Sequence, residues 1–222
     1  MCGRFFVPDA AVDNAVRDLP EDIAEKFRQA IKDWVRELNR PKYDIRPTNQ
    51  YPVATMKDVE PMRWGYITEK SSSVFNARKE SLGWGMWRES LVLRRGLIVA
   101  GGFYEWTGEK GAKQAHAIQR QDGEPMLMGV IYDFSFDPKL ERDVKCFSIV
   151  TTPASEWMQP LHDREPLILD PEDAALWLDH TAPPEAIKNL IKPYAGKLTE
   201  FACASPKQDV PPKKAKGDLF QG

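Results

Sequence analysis

Between residues 53 and 169 the chain is a succession of short apolar runs with β character that do not alternate with helices. The runs fall at 53–56, 62–67, 96–106, 116–119, 126–134, 144–152 and 167–169. Turn formers separate them, as at Gln121-Asp122-Gly123 and Asp137-Pro138. The spacing lacks the strand–helix–strand rhythm of a doubly wound parallel sheet. Helices collect instead at the two ends. Ile23, Phe27, Ile31, Trp34, Val35 and Leu38 recur at three- and four-residue steps, which predicts a helix over 20–39 closed by Pro41. Two more are expected over 171–179 and 184–194, the first with Asp170 at its N-cap and proline at its first helical position. Strands in the middle and helices at the ends predict an α+β fold built on a strongly curved antiparallel or mixed sheet. No internal repeat interrupts this reading.

A chain of 222 residues suits a single domain. The expected boundaries are a domain over 1–204 and a tail over 205–222, where Pro211-Pro212 precede Lys213, Lys214 and Lys216 with hardly an apolar residue before Leu219. Hydrophobic content of 42% with 29% charged residues describes a soluble globular protein. No apolar run reaches the roughly 18 residues of a membrane span, and the first residues do not read as a signal peptide, so no membrane partner is expected. Cys2, Cys146 and Cys203 are odd in number and lack metal-ligand spacing. They predict no metal, no other cofactor and no disulfide, with Cys146 in the core and the protein in the reducing cytoplasm. Trp34, Trp157 and Trp177 sit at helical spacing and are expected in the core. The formal net charge of −2 gives no whole-chain argument for nucleic acid. A local basic groove stays open, because Arg4, Arg63, Arg78, Lys79, Arg88, Arg94, Arg95 and Arg164 lie in or beside the segments considered next. Arg88 and Arg94 read as solvated surface charges.

Four segments concentrate reactive or conformationally special residues. The first is Cys2-Gly3-Arg4. Aminopeptidases trim an initiator methionine before a small side chain, and that would leave Cys2 with an α-amine and a thiol on neighbouring carbons. Such an aminothiol condenses with an aldehyde to an imine and closes it as a thiazolidine. With ordinary pKa values near ~7.7–8.0 and ~8.5, both groups have reactive fractions at neutral pH. The second segment, Phe75-Asn76-Ala77-Arg78-Lys79-Glu80, sets a carboxamide and a cation two apart, on one face of an extended chain. The third, Ala100-Gly101-Gly102-Phe103-Tyr104-Glu105-Trp106, puts an acid among aromatics beside a glycine pair that permits close backbone approach. The fourth, Leu161-His162-Asp163-Arg164-Glu165-Pro166, groups an imidazole, carboxylates and a guanidinium. Each has a plain structural alternative. Glu105 would be a surface carboxylate, His162 a backbone-bonded histidine, Asn76 a turn cap, and Arg164 the partner of Asp163 or Glu165. His116 and His180 have no such company and are given no role.

Together the segments resemble the SOS response-associated peptidase (SRAP) family, shield proteins of abasic sites in single-stranded DNA. The matching motifs are Met1-Cys2-Gly3-Arg4-Phe5, Arg63-Trp64-Gly65, Asn76-Ala77-Arg78, Gly102-Phe103-Tyr104-Glu105-Trp106 and Leu161-His162-Asp163-Arg164, in the family's order over about residues 2–170. The resemblance implies that the Cys2 amine attacks the ring-opened deoxyribose aldehyde and that its thiolate closes a thiazolidine. It implies Glu105 as proton acceptor beside the amine, His162 as proton donor to the departing ring oxygen, and Asn76 as a hydrogen-bonding group on the sugar or the Cys2 backbone. Arg4 and Arg78 would contact phosphates, Arg164 would assist them or order His162, Thr151 would lie near the lesion, and Pro47 would wedge against the neighbouring base, unless it is simply a turn proline.

The implied protein has an α+β fold with a curved, barrel-like antiparallel or mixed β core and flanking helices; it is a monomer that partners single-stranded DNA containing abasic sites, nucleoid-associated when bound, with weak lyase activity also within the chemistry. Two other readings stand beside it. One is a cysteine peptidase of Cys2, His162 and Glu105 that removes its own Met1; the other is a non-covalent damage-binding module. Two departures from the family are visible. Paired tryptophans often precede its Asn-Ala-Arg motif as a stacking platform worth roughly 1–3 kcal/mol per base; here the stretch reads Tyr66-Ile67-Thr68-Glu69-Lys70-Ser71-Ser72-Ser73. The family's asparagine-rich C-terminal signature is also missing.

Overall fold

The structure is a computed structural model describing residues 3–8, 12–37, 40–109, 111–207 and 210–213. The first part runs β1 (Phe5–Phe6), α1 (Asp13–Val16), α2 (Glu21–Arg36), β2 (Gln50–Ala54), β3 (Val59–Trp64), β4 (Tyr66–Thr68), β5 (Ser71–Val74) and β6 (Asn76–Arg78). The middle runs α3 (Arg88–Leu93), β7 (Arg95–Ala100), β8 (Gly102–Thr107), β9 (Gln114–Arg120), β10 (Met126–Asp137) and β11 (Arg142–Pro153). The last part runs β12 (Arg164–Pro166), β13 (Ile168–Leu169), α4 (Pro171–Leu178), α5 (Pro184–Leu190) and β14 (Leu198–Cys203).

Strands β11, β3, β2, β7 and β10 pair in that order, and β10 pairs back onto β11, closing a barrel. The β11–β3 pairing is parallel and the other four are antiparallel. This is the curved mixed sheet of an α+β fold expected from the apolar runs, closed into the barrel-like core that the resemblance implies. β6 joins the far end of β11 in parallel, and β12 lies antiparallel on its other side. A second, antiparallel sheet runs β1-β8-β9-β14 over a small apolar cluster of Phe6, Tyr104, Ala115, Ala117 and Cys203.

Helix α2 covers β2 and β3 with Ile23, Phe27, Ile31 and Trp34. Burying each contributes roughly 1.5–3 kcal/mol. Trp34 meets Tyr51 edge-on at 5.3 Å and donates its indole N–H to the Pro41 carbonyl, so the proline that stops the helix also anchors its last turn. Cys146 is buried, as expected.

Several local expectations are corrected. Arg95 does not belong to a basic groove. It is buried, and its guanidinium donates to the carbonyls of Leu91, Val92, Trp177 and Asp179, binding the last turns of α3 and α4 where helix dipoles favour a cation. Arg94 is likewise engaged rather than solvated, pairing with Glu89 and Asp133. Trp157 lies on a turn and is 41% exposed; its helical spacing to Trp177 was a coincidence of numbering. Asp170 stands at the N-cap of α4 without capping it, because its carboxylate faces Tyr194 and Arg120. Helix α5 stops at Leu190, short of the expected 194, since Pro193 disfavours helix before it. Of the tail expected from 205, residues 208, 209 and 214–222 lie outside the described residues, and Lys207 bridges Val210.

Candidate functional site

Glu105 sits in β8 beside His116 of β9 and is 3% exposed. It is therefore not the surface carboxylate its neighbours allowed. Burial, with the Asp163 carboxylate adding to it, holds its pKa above the ordinary glutamate value. Strand β1 flanks β8: Phe5 pairs with Phe103, Phe6 with Gly102, and the Tyr104 N–H donates to the Arg4 carbonyl at 3.0 Å. The glycine pair makes this approach possible. A Cβ on Gly101 would lie 2.7 Å from the Val7 carbonyl oxygen, and one on Gly102 would collide with the Ile118 carbonyl. Cys2 lies outside the described residues.

A second group gathers at the end of β11. Register sets Asn76 against Ile149, and Thr151 against both Arg78 on one side and Pro166 on the other. Ala77 is buried while Arg78 is exposed and Asn76 half-buried, so the alternation of an extended strand turns the carboxamide and the cation away from the core. Trp64 fixes where this strand begins: its indole N–H donates to the Phe75 carbonyl at 2.9 Å. Arg63 and Gly65 of the same motif shape the preceding β4–β5 hairpin. Arg63 donates to the carbonyls of Gly65 and Ser72, and Gly65 has φ of +100°, where a Cβ would strike Ser73.

Arg164 pairs with neither Asp163 nor Glu165. Its guanidinium is nearly buried, bonds both Glu80 carboxylate oxygens, and donates to the Thr151 carbonyl at 2.7 Å. That ion pair holds the Glu80 carboxyl below the usual range. Glu165 is buried and accepts from the Ser155 N–H, the Ser155 hydroxyl and the Tyr194 N–H, which locks the turn carrying His162.

His162 Nδ1 accepts the Arg164 N–H at 3.0 Å and lies 2.7 Å from Asp163 Oδ1. One nitrogen cannot accept a proton and donate one at once. Burial above all holds the imidazole below the usual histidine pKa, with the charges of Arg164 and Arg78 adding to it and Asp163 opposing. The Arg164 contact needs a lone pair on Nδ1 and belongs to the neutral ring with its proton on Nε2, whereas the Asp163 contact belongs to the protonated ring. The Asp163 charge felt by Glu105 and the Arg78 charge felt by His162 tie the two groups into one site.

Arg4 lies 5.1 Å above the Trp106 ring and 3.4 Å from the buried carboxylate of Asp44. Pro47 is half-buried in the turn that follows, where Asn49 N–H donates to the Arg46 carbonyl and Thr48 takes φ of 80°. The sequence signalled neither Asp44 nor Glu80, since each matters through a partner distant in the chain. His116 bonds Thr107 and Glu200 across the second sheet. Among the described residues no group of three or more His, Cys, Asp or Glu side chains could hold a metal, and no helix is long and apolar enough to cross a membrane.

The family model described as SOS response associated peptidase (SRAP) matches residues 1–210. The chain belongs to the SRAP family. It is 30% identical to the abasic site processing protein YedK of Escherichia coli, over 80% of this chain and 79% of that protein. It is 28% identical to the abasic site processing protein YMR114C of Saccharomyces cerevisiae over 87% of this chain, a match that spans only 60% of the yeast protein. The SRAP fold found here is also that of a solved protein from Bacteroides thetaiotaomicron, with a TM-score of 0.71 at 22% identity, covering 91% of this chain and 92% of that one.

Proposed function

We propose that this SRAP protein captures abasic sites in single-stranded DNA as a covalent thiazolidine through Cys2, once Met1 is removed. With Met1 attached the Cys2 nitrogen is an amide and has no basic lone pair. The observation that carries the reading is the β1–β8 register. Phe5 opposite Phe103, Phe6 opposite Gly102 and the Tyr104 N–H on the Arg4 carbonyl lay the backbone from Phe6 back to Arg4 along β8, in the direction of Glu105, a buried acid. The relatives' names, abasic site processing proteins, support the substrate.

The chemistry balances without a cofactor. The amine adds to the C1′ aldehyde; the resulting carbinolamine loses water to an imine; the thiol adds across the C=N bond, sulfur to carbon and proton to nitrogen. Glu105, with its pKa raised by burial, takes the amine proton and returns one to the departing hydroxyl. His162, held neutral with Nε2–H, aids ring opening at the sugar oxygen. Asn76 bonds the sugar, and Arg4 and Arg78 engage phosphates. Arg164, already committed to Glu80 and Thr151, keeps His162 and the β11 end in register.

Incubation with a single-stranded oligonucleotide bearing one abasic site tests this. Wild type should give a heat-stable, gel-shifted adduct whose mass equals the sum of the components less one water, and Cys2→Ala should give none. A full yield from Cys2→Ala overturns the mechanism.

A further inference from the structure

Asp44 is a buried carboxylate, 1% exposed, with a guanidinium on each side. Arg4 lies 3.4 Å from Oδ1 and Arg46 donates to Oδ2 through Nε, at 2.8 Å, and through Nη2. One buried carboxylate thus sits between two guanidinium groups. The Arg46 side chain is 50% exposed and that of Arg4 30% exposed, while the Asp44 side chain is not exposed at all.

The backbone under Arg46 is pinned on every side. Its N–H donates to the Asn49 side-chain oxygen at 2.9 Å, and its carbonyl accepts the Asn49 N–H at 3.0 Å. Ile45 exchanges both backbone hydrogen bonds with Phe5, and Thr48 N–H donates to the Trp64 carbonyl at 2.8 Å. Thr48 sits in the left-handed region with φ of 80°, a costly conformation for a β-branched residue that the surrounding bonds enforce. A fork held this firmly loses little side-chain freedom when it takes up an anion.

We infer that Arg46 and Arg4, oriented by Asp44, form a clamp for one backbone phosphate of single-stranded DNA, with Arg46 a binding residue and Asp44 a positioning residue. This rests on the single-stranded DNA reading and names a phosphate contact within it. The segment holding Asp44 and Arg46 flanks β1 on the side opposite β8, so two strand spacings, about 10 Å, separate it from Glu105. A phosphate there belongs to the strand next to the lesion.

The test is binding of a fluorescent, lesion-free single-stranded oligonucleotide to the full chain across a salt titration, with adduct formation on an abasic oligonucleotide measured in parallel. Arg46→Ala, at an exposed side chain, should flatten the plot of log affinity against log salt by about 0.7, the increment of one single-strand phosphate contact. Asp44→Asn separates positioning from charge counting. It adds a net positive charge, which alone would tighten binding, whereas loss of orientation weakens it; weaker binding with an unchanged circular dichroism spectrum is expected. Arg46→Ala with a wild-type slope, tighter binding by Asp44→Asn, or no binding by wild type at low salt each overturns the clamp. A wild type that binds, loses slope on Arg46→Ala and yet forms no adduct leaves the clamp standing and removes the covalent reading.

Discussion

Arg164 and Glu80 meet across 84 positions of sequence, Nη1 of the guanidinium lying 2.8 and 2.9 Å from the two carboxylate oxygens. The contact joins the segment after Asn76-Ala77-Arg78 to the one after His162, so it braces both halves of the β11 group. Glu80→Gln should cost about 1–2 kcal/mol, between the worth of exposed and buried pairs, because Glu80 is half-exposed and Arg164 is not. Glu80 has a depressed folded-state pKa, so its contribution is present above the unfolded value near ~4.3 and is lost as pH falls through the folded one. Urea unfolding at pH 7 and pH 3 checks this: the wild type–variant gap should close at the lower pH.

Glu105 has the opposite sign. Its pKa is raised by burial, so the folded state holds the proton more tightly and stability falls as pH climbs from the unfolded value near ~4.3 through the folded one. Glu105→Gln should raise the Tm at pH 7.5 and leave it unchanged at pH 3.5, while slowing capture by roughly 10²–10⁴-fold as a proton-transfer group is lost. A variant less stable at pH 7.5 contradicts the assignment.

For His162 the lowered pKa makes the protonated ring scarce at neutral pH and a stronger acid. Capture limited by ring opening should accelerate as pH falls from 7.5 toward that pKa. In His162→Ala this limb should flatten, read from single-turnover rates between pH 5 and 8. A pH profile identical to wild type removes the histidine from the proton path.

Gly102→Ala drives a methyl group at the Ile118 carbonyl and the Phe6 ring. Overpacking of this kind costs typically ~1–3 kcal/mol, and here it also pushes β1 off β8. Loss of stability accompanied by a disproportionate fall in adduct rate is expected, with chemical denaturation and single-turnover capture as the two measurements.

The long periodic helix and the apolar barrel strands were legible because burial writes itself into spacing: Ile23, Phe27, Ile31 and Trp34 all point one way, and β7 is buried end to end. β6 was not, since Asn76-Ala77-Arg78 has one buried residue and is a strand only because β11 lies beside it. Strand β14 hid likewise behind Thr199 and Glu200, which face solvent. Of the site, the motifs marked Asn76, Glu105 and His162, whose chemistry is unusual in itself. They could not show that Arg164 reaches back to Glu80, or that Arg4 reaches Asp44, because ion pairs between distant segments leave no periodicity to read.

Strand β11 is held along its length, by β10 and β3 at one end and by β6 and β12 at the other. The amides of Ile149, Val150 and Thr151 therefore have no local route to solvent. Their hydrogen–deuterium exchange should proceed only through cooperative unfolding of the whole barrel, which makes the floor of the site as slow to open as the protein itself.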